Sequence, residues 1–70
     1  MKIIDDCRKR FGSRLRSLRK ERRKTQKEVA AAIDVSPQVI SCYEKGEYLP
    51  SAVHCMRLVN YFGISFDELL

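Results

Sequence analysis

Apolar residues recur along this chain at spacings of three and four, in short runs separated by turn-forming residues. Phe11, Leu15 and Leu18 stand at i, i+4 and i+7, one stripe of an amphipathic helix predicted from about Arg8 to Arg22. Thr25, with Glu28 three residues on, makes a capping box that opens a second helix; its apolar set is Val29, Ala30, Ala32 and Ile33, and it ends near Ile33. After Asp34 and Val35, Ser36-Pro37 starts a third helix, with Ser as N-cap and Pro at the first helical position. Val39, Ile40 and Tyr43 are its apolar positions, and Gly46 stops it. Ser51 caps a fourth helix, which presents Ala52, Cys55, Met56, Val59 and Phe62 before Gly63 ends it. Ser65 and Glu68 make a second capping box for a short terminal helix through Phe66, Leu69 and Leu70. No stretch alternates at period two long enough to be a strand, so the pattern predicts an all-α chain.

Residues 11–70 read as one domain, and residues 1–10 as an N-terminal arm or a helix extension, two readings that the mixed run Ile3, Ile4, Asp5, Asp6 leaves open. Seventy residues are near the lower limit for a core without staples and leave little room for a catalytic cleft beside it.

Charge changes the picture more than size does. The net charge is +5, but from Arg8 to Lys27 eleven Lys and Arg face a single acid, Glu21, while from Gly46 to Leu70 one Arg faces three acids. So uneven a distribution suits a polyanion, nucleic acid or an anionic membrane surface, against the plainer reading of a solvated helix face. A membrane role for the first helix conflicts with the core's need of its apolar stripe. No apolar run approaches a membrane span and the amino terminus has no signal-peptide core, so a cytoplasmic, nucleoid-associated protein is expected. Cys7, Cys42 and Cys55 are an odd number without metal-ligand spacing, and His54 beside Cys55 faces elsewhere on a helix, so no metal and no cofactor are expected. Gly12, Gly46 and Gly63 are isolated rather than a phosphate loop, and no nucleophile–base constellation is present, which sets an enzyme aside.

The segment Gln26–Tyr43 carries the mechanism. Two short helices joined by about three residues must cross steeply. Ala30 is small enough for a close crossing, and Asp34 stands where the turn needs a residue that tolerates positive φ. From Phe11 to Leu70 the chain resembles the XRE family, the helix-turn-helix domains of phage repressors and Cro proteins. The matching marks are Phe11, Leu15, Leu18 and Arg19; Thr25-Gln26 and Ala30; Val35-Ser36, Ile40-Ser41 and Tyr43-Glu44-Lys45-Gly46; then Pro50-Ser51 and the run Phe62 to Leu70.

That resemblance implies a compact five-helix bundle whose third helix enters the major groove of double-stranded DNA. It implies that Gln26 anchors a phosphate and braces the recognition helix, that Pro37, Gln38, Ser41 and Cys42 face the groove, and that Ser36 stands at its edge. Gln38 is the best base reader, since its amide can pair with adenine, and Val39 or Pro37 can touch a thymine methyl. Lys27 and Lys45 are phosphate candidates, and Arg19 with Glu44 matches a structural salt bridge between the first helix and the recognition helix. Three departures stand out: Arg23 and Lys24 where relatives often have Gly and an apolar residue, Pro37 where a polar reader is common, and Cys42 as an unusual reader. Cys42 reads as a plain thiol before a redox sensor, Cys55 as core, His54 as a surface residue and Tyr43 mainly as packing.

The leading function is a sequence-specific transcriptional regulator, a repressor, binding a palindromic operator as a homodimer. The carboxyl-terminal Ile64, Phe66, Leu69 and Leu70 are either its dimer surface or the closure of the core. The alternative is an antitoxin that covers a toxin protein and represses its own operon, with Ile3 and Ile4 as docking residues.

Overall fold

Residues Lys2–Glu21 form one continuous helix, α1, in the computed structural model, which describes residues 2–70. The first ten residues thus join α1 from Lys2 onward as an extension of its amino-terminal end. Asp5 in the first turn complements the helix dipole and lies 3.5 Å from Arg8. Then follow α2 (Gln26–Ile33), α3 (Pro37–Glu44), α4 (Ala52–Phe62) and α5 (Phe66–Leu69). The described residues contain no strand.

The helix ends follow from their caps. Thr25 accepts from Glu28 N–H while the Glu28 carboxylate accepts from Thr25 N–H, and Ser65 with Glu68 repeats the arrangement at α5. Ser51 Oγ accepts from His54 N–H at 3.2 Å. Ser36 departs from expectation: its hydroxyl makes no capping bond, and the Val39 N–H donates to the Ser36 backbone carbonyl at 3.0 Å. Asp34 ends α2 in the left-handed region at φ 62°, with its N–H directed to Ala30 and Ala31 carbonyls. Arg23, between α1 and α2, has φ 55°, the conformation usually given to glycine.

The core is a single cluster drawn from all five helices: Phe11, Leu15 and Leu18; Val29, Ala30 and Ile33; Ile40 and Tyr43; Leu58, Val59 and Phe62; and Leu69. Two expectations about it need correcting. Ala32 is exposed on α2. On α4, Ala52 and Met56 face solvent, and the buried stripe is Cys55, Leu58, Val59 and Phe62. Those four stand at i, i+3, i+4 and i+7, whereas Ala52 and Met56 form a neighbouring row on the same helix. Leu58 is fully buried, a burial worth about 1.5–3 kcal/mol.

Arginines close several helix ends. The last carbonyls of a helix have no partner within it. Arg57 Nη1 donates to Ile33 O at the end of α2 at 3.0 Å. Arg22 donates to Phe62 O at the end of α4, and its guanidinium lies 5.6 Å from the Phe62 ring centre. Arg14 donates to Glu68 O on α5. Part of the basic run, Arg14 and Arg22, is therefore structural.

Candidate nucleic-acid interface

α3 is held by polar contacts on one side and apolar ones on the other, which leaves a third side free. The seam with α2 contains Val29, Ala30, Ile33 and Ile40, with Val35 and Val39 packed against it. Against α1, the crossing point is Gly12: a Cβ there would meet the Tyr43 carbonyl oxygen well inside contact distance and the Glu44 oxygen at 3.0 Å. Phe11 packs edge-on to Tyr43 with ring centres 5.4 Å apart.

The polar clamp centres on Glu44. Arg19 Nε donates to Glu44 Oε2 at 2.7 Å and Arg19 Nη2 to Oε1 at 3.0 Å, a two-point fork. Gln26 Nε2 donates to the same Oε1 at 3.1 Å, and Arg19 Nη1 to Lys24 O at 2.9 Å. One carboxylate thus ties α1, the α1–α2 turn, the first residue of α2 and the last of α3. The Glu44 side chain is only 3% exposed, so all three donors work where water screens little. The Glu44 hydrogen bonds raise the Arg19 pKa further above its already high ordinary value.

On the other side, the Tyr43 hydroxyl and His54 Nδ1 are 2.8 Å apart, joining α3 to α4. His54 is therefore half-buried in a contact and not a free surface residue. The Tyr43 hydroxyl is thereby occupied, and burial pushes its pKa up.

The free side of α3 presents Pro37, Gln38 and Lys45, all exposed, with Ser36 at its start. Ser41 is half-buried. Cys42 is half-buried too, and the nearby Glu47 carboxylate pushes its pKa up. That direction keeps the thiol protonated, which runs against a thiolate redox sensor. Val39, one of the two residues expected at a thymine methyl, is half-buried and packed against the core, whereas Pro37 is exposed. Lys27 is exposed one residue after Gln26, near the amino-terminal end of α2.

Gly12 and the carbonyl-capping arginines had no place among the expected functional residues. A glycine in the middle of a strong helical pattern was itself the available signal, since glycine there costs about 1 kcal/mol unless a close approach requires it. For the arginines, charge pattern alone gives no signal, because the carbonyls they reach belong to other helices.

The helix-turn-helix family model matches residues 15–69 of this chain. The chain belongs to the XRE helix-turn-helix family. This XRE domain is 37% identical over 60 residues to the transcriptional repressor RstR of the cryptic phage CTXphi from Vibrio cholerae, covering 86% of the chain and 54% of RstR. It therefore spans about half the length of that relative. It is also 37% identical over 65 residues to an uncharacterised helix-turn-helix-type transcriptional regulator, y4dJ, from Sinorhizobium fredii, covering 93% of the chain and 84% of y4dJ. Among solved structures, the restriction-modification controller protein C.AhdI from Aeromonas hydrophila superposes with a TM-score of 0.85 at 26% identity, covering 93% of this chain and 98% of C.AhdI. The clp gene regulator ClgR from Corynebacterium glutamicum gives 0.83 at 31% identity, covering 89% of this chain and 66% of ClgR.

Within the XRE domain, the departure at Arg23 is one of side chain more than of backbone. Arg23 adopts the left-handed conformation at φ 55°, which glycine takes at least cost, and adds a charge beside the amino-terminal end of α2.

Proposed function

We propose that this DNA-binding domain is a sequence-specific transcriptional regulator acting as a repressor, two copies setting α3 into the major groove of a palindromic operator in the cytoplasm. The observation that carries the reading is the clamp on Glu44. It fixes α3 at both neighbours while Gln38 and Pro37 stand free at the amino-terminal end of that helix. In helix-turn-helix docking that end reads base edges while the start of the preceding helix rests on phosphates. Gln38 is then the adenine reader, and Gln26, already braced on Glu44, keeps an amide oxygen and a second N–H for the surroundings. Lys27 and Lys45 flank the reader as phosphate contacts. Ser41 and Cys42 are half-buried, so direct readout concentrates on Gln38, and sequence-dependent DNA shape supplies part of the discrimination.

The test is selection of bound sites from a random duplex library, followed by Gln38→Ala on the enriched site. A short palindrome is expected, with Gln38→Ala costing about 1–3 kcal/mol there and relaxing preference at one base pair per half-site. Unchanged cognate binding by Gln38→Ala would remove α3 as the reader.

A further inference from the structure

The cations along α1 and just after it include an engaged set and a free row, with Arg10 exposed apart from both. Arg14, Arg19 and Arg22 are engaged with carbonyls or with Glu44, and Arg8 pairs with Asp5. Lys9, Arg16 and Lys20 have no such partner, are all exposed, and with Ser13 stand at i, i+4, i+7 and i+11, a single row along the helix. That row adjoins the side of α1 facing α3: Arg16 lies one turn beyond Gly12, the crossing residue, and Lys9 lies over the end of α3, with its Cα and Cγ 3.3 Å from where a Gly46 Cβ would be. Cations one or two turns apart without an acid between them repel one another. Asp5 and Asp6 lie within a turn of Lys9, but Arg16 and Lys20 have no acid three or four residues away along α1, which points to an anion outside the molecule.

We propose that Lys9, Arg16 and Lys20 form a phosphate-binding row that holds duplex beyond the reach of α3. The inference rests on the DNA reading above and adds to it a second, sequence-independent contact surface on α1. Lys9 to Lys20 rises about 16 Å, a length of about five base-pair steps measured along the duplex axis. The row is suited to a run of backbone, whereas Lys27 and Lys45 are single points beside the groove.

The test compares the wild-type chain with Lys9→Gln/Arg16→Gln/Lys20→Gln, by fluorescence anisotropy on a random-sequence duplex across a salt series. Each side chain that reaches a phosphate contributes about 0.9 to the slope of log affinity against log salt, so a fall of nearly three is expected for the set. Affinity for cognate and random duplex should drop together, by about tenfold or more at moderate salt. The variant's melting temperature should hold or rise, because the change chiefly removes repulsion. An unchanged slope would overturn the row, and so would a lowered melting temperature that accounts for the whole loss. Binding of the wild type to anionic phospholipid vesicles in preference to duplex would overturn it as well. Gln38→Ala separates the two readings: a lost row leaves its base preference intact, whereas a wild-type chain that fails to bind duplex at all sinks both.

Discussion

At Gly12 two requirements oppose each other. Alanine would favour the middle of α1 by about 1 kcal/mol over glycine. Its Cβ, however, would press on the backbone oxygens of Tyr43 and Glu44, which cannot rotate away as a side chain can. Relief requires α3 to move from α1, and overpacking of this kind costs about 1–3 kcal/mol. The steric cost wins, and it falls on the recognition helix. Gly12→Ala should lower the melting temperature by about 5–10 °C, the shift that one to two kcal/mol produces in a domain of this size, and should weaken cognate binding beyond what the folded fraction explains. Thermal denaturation followed by circular dichroism checks the first part; a melting temperature equal to or above wild type would show that the helices part at no cost. The turn at Asp34 was legible where Gly12 was not. A short connection between two capped segments demands a left-handed residue, and the chain offers only a few candidates. A helix crossing demands glycine at a point fixed by a partner far away in sequence.

Among the elements, α2 depends for part of its stability on an exposed titratable cap. The Glu28 carboxylate accepts from Thr25 N–H, while Thr25 Oγ1 accepts from Glu28 N–H. Hydrogen bonding from Thr25, backbone first, lowers the Glu28 pKa below its ordinary value of 4.5. A carboxylate depressed in the folded state stabilises above its unfolded value and loses that contribution as pH falls through the lower folded value. The capping contribution is therefore complete at neutral pH and vanishes in the acid range below about 4.5. Glu28→Gln should lose stability at pH 7 and show a shallower acid limb, the two melting curves converging toward pH 3; equal acid limbs would mean that the box is idle. Both capping boxes and all five helices could be read from sequence, because caps and periodicity are local. On α4, Cys55, Val59 and Phe62 were legible, whereas Leu58 was missed and Ala52 and Met56 were included, because rows of a short apolar helix differ only in which partner they meet. The Glu44 clamp was legible only as a family resemblance, since its donors, on Arg19 and Gln26, lie 25 and 18 residues from Glu44 and are gathered only by the fold.

For the whole molecule, size constrains how two copies can share a site. Half-sites one helical turn apart put domain centres about 34 Å apart, against Cα extents of 32 × 24 × 22 Å. Two copies on one face of the duplex then meet only at their ends, so the contact is small and must be apolar to matter. The carboxyl-terminal segment divides accordingly. Leu69 is fully buried and Ile64 packs on the core, while Phe66 and Leu70 remain about half exposed, at 47% and 50%. Leu69 and Ile64 close the core, and Phe66 and Leu70 are left for the second copy in the proposed homodimer, so the two roles can be separated by mutation. Phe66→Ser/Leu70→Ser leaves the buried set intact and should fold with nearly wild-type stability. Its affinity for a single half-site should be unchanged. On the palindrome it should lose the gain from linked binding, about 10²–10⁴-fold when two sites are engaged together, and its binding curve should lose cooperativity. Sedimentation at concentrations where the wild type self-associates would report the variant as a monomer. Palindrome affinity that survives both substitutions would place the contact between copies on another surface, with the exposed Ile3 and Ile4 on the α1 extension next to be tested.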